Sequence, residues 1–213
     1  MKTSTLLIAG LLTTGLTALA GKVTLSTGHT DVAVVYDNGE FLMDVSYDET
    51  ETSYDAKDVV LRVGGGAVTT VPSDPLYGFL GSAGQAVWIL PQVQDENLLF
   101  LGFGSDDLPQ GIFQNDTVHI HLTKVKGPGQ FAMFGYDSFG LPFVVMNTRD
   151  GIDAADTYPF VAGSDAHFNW AFSAPGKYHV TFETTAMLLD GTVISTGEAT
   201  YTFRVARRGS AEL

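Results

Sequence analysis

SDAHFNWAFSAPGKYHVTFETTAMLLDGTVISTGEATYTFRV, residues Ser164 to Val205, contains three runs in which apolar and polar side chains alternate. Phe168, Trp170 and Phe172 alternate with His167, Asn169 and Ala171. Tyr178, Val180 and Phe182 then alternate with Lys177, His179, Thr181 and Glu183, and Tyr201, Phe203 and Val205 with Thr200, Thr202 and Arg204. A side-chain period of two belongs to a strand with one buried face. Pro175-Gly176 and Asp190-Gly191 punctuate the runs as turns. The segment therefore reads as three consecutive antiparallel strands.

The same pattern extends towards the N-terminus. Val23 to Tyr36 and Glu40 to Tyr47 read as strands joined at Asp37-Asn38-Gly39, where Asn-Gly supplies the positive φ angles of a tight hairpin. Phe41, Met43, Val45 and Tyr47 make the inner face of the second. The acidic run Asp48 to Asp55 reads as a solvated loop. Val59, Leu61 and Val63 form a strand that ends at Gly64-Gly65-Gly66. Pro72, Pro75, Pro91 and Pro109 prevent long helices in the middle of the chain and leave room for a short helical turn from Pro75 to Leu80. Leu98 to Phe103 is continuously apolar, as a strand buried on both faces would be. Val118, Ile120 and Leu122 alternate with polar residues, and Phe131 to Tyr136 pairs with Pro142 to Met146 across Asp137 to Gly140. No amphipathic helix of three turns emerges, and turn signals recur about every ten residues. The expected fold is all-β: a single antiparallel β-sandwich, immunoglobulin-like, in one domain spanning 21–206.

Lys2, the apolar run Leu6 to Leu16 and the small residues of Ala18-Leu19-Ala20 have the order of a secretory signal peptide, residues 1–20, cleaved after Ala20. The expected location is extracytoplasmic: secreted, periplasmic or associated with the cell surface. Residues 207–213 are expected to form a disordered tail. They contain no LPxTG-like motif and no apolar segment, which points to a freely released form or one attached through a partner. The chain carries 24 acidic and 11 basic residues for a net charge of −13, and loss of Lys2 with the leader makes it more negative. Such a surface repels nucleic acid and anionic lipid. With no cysteine, stability must come from the core. A chain of this size buries roughly 70% of its unfolded surface.

Several motifs are spread in order along nearly the whole mature chain. They are Gly28-His29-Thr30-Asp31-Val32, Val71-Pro72-Ser73-Asp74-Pro75 with Phe79-Leu80-Gly81, and Val87-Trp88-Ile89-Leu90-Pro91-Gln92. Leu108-Pro109-Gln110-Gly111-Ile112-Phe113, Gly127-Pro128-Gly129-Gln130-Phe131-Ala132 and His167-Phe168-Asn169-Trp170-Ala171-Phe172 with Pro175-Gly176 follow. In these pieces the chain resembles the actinobacterial surface-anchored protein domain, also called the choice-of-anchor M domain. The resemblance implies an exported β domain without established enzymatic activity, some relatives of which accompany ABC transporters for metal ions.

Three sets of residues are candidate metal ligands. His29 and Asp31 are two apart, as are Asp165 and His167, so each pair projects from one side of a strand. Asn169 continues the second series, and the two pairs make one cluster if their strands lie side by side. Imidazole nitrogen and carboxylate oxygen without thiolate suit zinc, manganese or iron. His119 and His121 form an H-x-H pair, with Cα atoms about 7 Å apart on a strand, for which surface histidines are the competing reading. Asp150, Asp153 and Asp156 surround Gly151 as calcium ligands would, but the EF-hand spacing is absent, Arg149 sits among them, and an acidic turn joining two strands is the preferred reading.

Catalytic signatures are missing: there is no G-x-S-x-G elbow and no cysteine nucleophile. Asp106-Asp107 are adjacent and read as a turn, and Gly64-Gly65-Gly66 lacks the lysine of a phosphate loop. The leading expectation is a non-enzymatic envelope interaction module. The alternatives are a divalent-metal-binding accessory protein of a metal ABC transporter system and, third, a hydrolase of surface carbohydrate or peptide. The envelope partner and the oligomeric state stay open.

Overall fold

A computed structural model describes residues 21–209. The leader read at 1–20 and residues 210–213 of the tail lie outside the described residues; Arg208 and Gly209 lie in a turn. The strands are β1 (Val23–Leu25), β2 (Gly28–Asp37), β3 (Glu40–Tyr47), β4 (Thr52–Asp55), β5 (Val59–Val63), β6 (Val68–Thr70), β7 (Ala86–Leu90) and β8 (Leu99–Gly104). They continue with β9 (Phe113–Lys126), β10 (Phe131–Tyr136), β11 (Pro142–Asn147), β12 (Thr157–Val161), β13 (Asp165–His167), β14 (Asn169–Phe172), β15 (Gly176–Leu188) and β16 (Val193–Val205). The described residues are all-β, with short 3₁₀ turns as their only helical elements; one spans Pro75–Leu80 and is capped by Asp74, whose carboxylate accepts from the Leu76 amide.

The strands form three sheets, in the orders β1-β5-β16-β15-β9-β12, β11-β10-β14-β7-β6 and β13-β8-β2-β3-β4. All three contribute to one core in a sandwich-like stack. Phe103 of the third sheet meets Trp170 of the second and Phe182 of the first, with ring centroids 5.4 and 5.6 Å away. Trp170 is fully buried and gives its indole N–H to the Leu101 carbonyl. The second sheet is antiparallel throughout, but the first and third are mixed, against the expected purely antiparallel sandwich, because β1 pairs β5, β16 pairs β5 and β2 pairs β8 in parallel.

Two sequence readings are corrected. The run from Asp165 to Phe172 is not the first strand of a three-stranded meander. It breaks at Phe168, so that β13 joins β8 in the third sheet while β14 joins β7 and β10 in the second. Alternation persists through the break because Phe168, Trp170 and Phe172 all enter the shared core. Nor are residues 48–55 a plain loop. Asp48–Thr50 is a 3₁₀ turn and Thr52–Asp55 is an edge strand on β3, short and ending in the charge of Asp55, as sheet edges that resist further pairing do. The β2–β3 hairpin forms as read, with Asn38 at φ 50° and Gly39 at φ 88°.

Candidate metal centre

β8 runs between β2 and β13, parallel to the first and antiparallel to the second. Gly102 lies opposite both Asp31 and His167, Phe100 opposite His29, and Gly104 opposite Asp165. His29 and Asp31 therefore stand on one flank of β8, with Asp165 and His167 on the other. The strands carrying the two pairs do not pair with each other, as the side-by-side expectation required. They are two strand spacings, about 10 Å, apart. The pairs meet because the intervening positions are glycines: a Cβ on Gly102 would sit 2.6 Å from Asp31 Oδ1 and 2.7 Å from His167 Cε1.

One ligand atom from each of His29, Asp31, Asp165 and His167 lies within 4.8 Å of every other. The two histidine Nε2 atoms are 3.0 Å apart. His29 Nε2 lies 3.4 Å from Asp31 and 3.8 Å from Asp165; His167 Nε2 lies 3.3 Å from Asp165 and 3.9 Å from Asp31. Ligands held at about 2.0–2.2 Å around one tetrahedral ion are separated by about 3.4 Å, and these spacings bracket that edge. His167 is stacked on Phe100 with ring centroids 3.6 Å apart and planes 4° apart, so its plane is fixed.

The ring of His29 is oriented from outside the cluster. Its Nδ1 donates to Asp48 Oδ2 at 2.7 Å, which turns Nε2 towards the other donors. This is the carboxylate–histidine arrangement that raises ligand basicity in metal sites. Asp48 was missed in sequence because it sits in an acidic run, where nothing separates a positioning carboxylate from solvated charge. Asp48→Asn should weaken metal binding about 10- to 100-fold while leaving the fold intact, as checked by competition titration against a chelator and by circular dichroism.

Asp31 carries the largest electrostatic tension. Its side chain is 10% exposed and its Oδ1 has no hydrogen-bond partner. Burial, reinforced by the charges of Asp165, Asp48 and Asp106 and opposed by His29, pushes its pKa up to about 7. His167 is pushed down by burial, with Asp165 opposing and His29 adding to the shift, which favours the neutral ring that a ligand presents. Its Nδ1 is also buried without a partner.

The remaining candidates are placed differently. Asn169 turns into the second sheet, where its amide bonds Gln92 and the Phe134 carbonyl. His119 and His121 stand on β9 with ring centroids 6.5 Å apart. His121 meets threonine hydroxyls at both nitrogens, Thr157 at 2.9 Å and Thr185 at 2.8 Å. Asp156 is buried and accepts backbone amides from Asn147 and Asp153, and Asp153 accepts from Ala155. Those carboxylates close the turn between β11 and β12, while Asp150 is exposed. Among the described residues, the group on His29, Asp31, Asp165 and His167 is the one cluster of three or more acidic or histidine side chains with metal-ligand geometry. No protein-family model, curated protein or solved structure matches the chain.

Proposed function

We propose that this protein is an exported β-sandwich that binds a divalent transition metal through His29, Asp31, Asp165 and His167 and serves as an accessory to metal handling at the cell envelope. One observation carries the reading: four donors from two strands converge over a strand that has lost its side chains at Gly102 and Gly104. A cation within that group would give the orphaned Asp31 Oδ1 a partner and draw on both facing Nε2 atoms at once. The donor set favours zinc, manganese or iron(II) over calcium, whose sites are built from oxygen alone. The resemblance to choice-of-anchor M domains belongs to the same reading, as do an immunoglobulin-like class for the sandwich and a role without catalysis. An interaction module without metal gives no account of the buried Asp31 Oδ1 that lacks a hydrogen-bond partner. Elemental analysis of the untagged mature chain tests the proposal: about one equivalent of metal is expected for a single four-ligand site, and its absence after reloading with each of the three metals rejects the reading.

Because a ligating carboxylate must be ionised, metal has to displace the proton that Asp31 holds below about pH 7. Affinity should fall as the pH drops through that value, by up to about tenfold per pH unit from this group alone, and level off above it. Calorimetry in buffers of different ionisation enthalpy should show more protons released per metal at about pH 6 than at about pH 8.5. An equal count at both would contradict this role for Asp31.

A further inference from the structure

Beside the four donors lies a recess of about 50 Å³ lined by Asp31, Ser46, Asp48, Gly104, Asp106 and Asp107, among others. Asp31, with its side chain 10% exposed, forms its buried floor. Asp48, Asp106 and Asp107 stand exposed around it, and none of the residues lining it is basic. Asp106 comes near enough to Asp31 for its charge to help raise the Asp31 pKa.

The acids around the mouth are not a second chelate, since none of them joins the cluster in which donor atoms fall within 4.8 Å of one another. Carboxylates too far apart to share an ion attract cations without trapping them. The volume admits one or two waters at about 30 Å³ each, so an ion passing through must shed most of its hydration shell. The Asp31 carboxylate, which lines the recess, is placed to replace the first water lost.

We propose that this recess is the route by which a divalent cation reaches the His29 cluster, with Asp106 and Asp107 drawing it to the mouth and Asp31 capturing it first. The proposal rests on the metal-binding reading, so equilibrium binding of Co²⁺ to the wild-type chain is measured first; no binding there rejects both. Stopped-flow absorbance then compares the wild type, Asp106→Asn/Asp107→Asn, and a charge-matched control in the first sheet and its terminal turn, Asp190→Asn/Glu198→Gln. Field focusing at a cleft changes association rates by about 10-fold or more. A fall of about three- to tenfold in the association rate of the first variant is expected at low ionic strength, shrinking as salt screens the field. Its dissociation rate and stoichiometry should match the wild type, and the control should associate at close to the wild-type rate. An unchanged association rate, or an equal loss in the control, overturns the route while leaving the metal site standing. A faster dissociation with lost stoichiometry also overturns it, because it would make Asp106 or Asp107 a ligand.

Discussion

The double variant His29→Ala/His167→Ala should lose stoichiometric zinc while keeping the fold. The two rings supply both nitrogen donors, with Nε2 atoms 3.0 Å apart. Without them Asp31 and Asp165 remain as two like charges with no nitrogen ligand. Affinity should fall on the order of a thousandfold or more, since losing even an outer partner of a ligand costs about 10- to 100-fold. The fold should survive because neither ring belongs to the shared core; their side chains are 25% and 12% exposed at the face of the third sheet. The loss of the His167 stack on Phe100 costs about 0.5–1.5 kcal/mol. The metal-dependent stability should disappear. Zinc at about 100 times its dissociation constant stabilises a folded chain by about 2.7 kcal/mol, or about 5–10 °C for a domain of this size. Calorimetric scans with and without zinc should show that gain in the wild type and none in the variant. Retention of the full shift by the variant would place any metal elsewhere.

The two halves of the site were legible because a strand repeats its faces every two residues. His29 with Asp31, and Asp165 with His167, each had to share a side, and both pairs do. Alternation tells which face a residue takes, but not which strand lies next to it. For that reason the spacer strand β8 was invisible as part of the site, and the pairing through it had to come from the register. A signal was present: Gly102 and Gly104 recur at the strand period in an otherwise apolar run, and glycine inside a strand marks close approach by another group. The break at Phe168 was hidden because Phe168, Trp170 and Phe172 point into one core shared by both sheets. The polar side records it instead, for Asn169 turns to Gln92 and Phe134 while His167 turns to His29.

Gly102→Ala should be the smallest substitution that disables the centre. Gly102 does not occupy the left-handed region of backbone space, so alanine meets no conformational penalty there and the effect is steric. The added carbon would lie 2.6 Å from Asp31 Oδ1, 2.7 Å from His167 Cε1 and 2.9 Å from His167 Nδ1. His167 has little room to retreat, since its ring is stacked on Phe100. Asp31 must then turn away, because its Oδ1 would be the nearest atom to the added carbon. Relaxation must therefore drive the two ligands apart, and a ligand set displaced by even about 1 Å no longer fits its ion. The expected loss of metal affinity is on the order of a hundredfold or more, against about 1–3 kcal/mol of overpacking in the fold. Gly66→Ala is the matched control, because its Cβ would meet only Leu98 at an ordinary 3.7 Å. Titration of both variants separates the two accounts of β8. If Gly102→Ala binds metal as tightly as the control, the glycines serve only the packing of the strand; if its affinity collapses while its unfolding midpoint moves by a few degrees, the missing side chain is itself part of the metal centre.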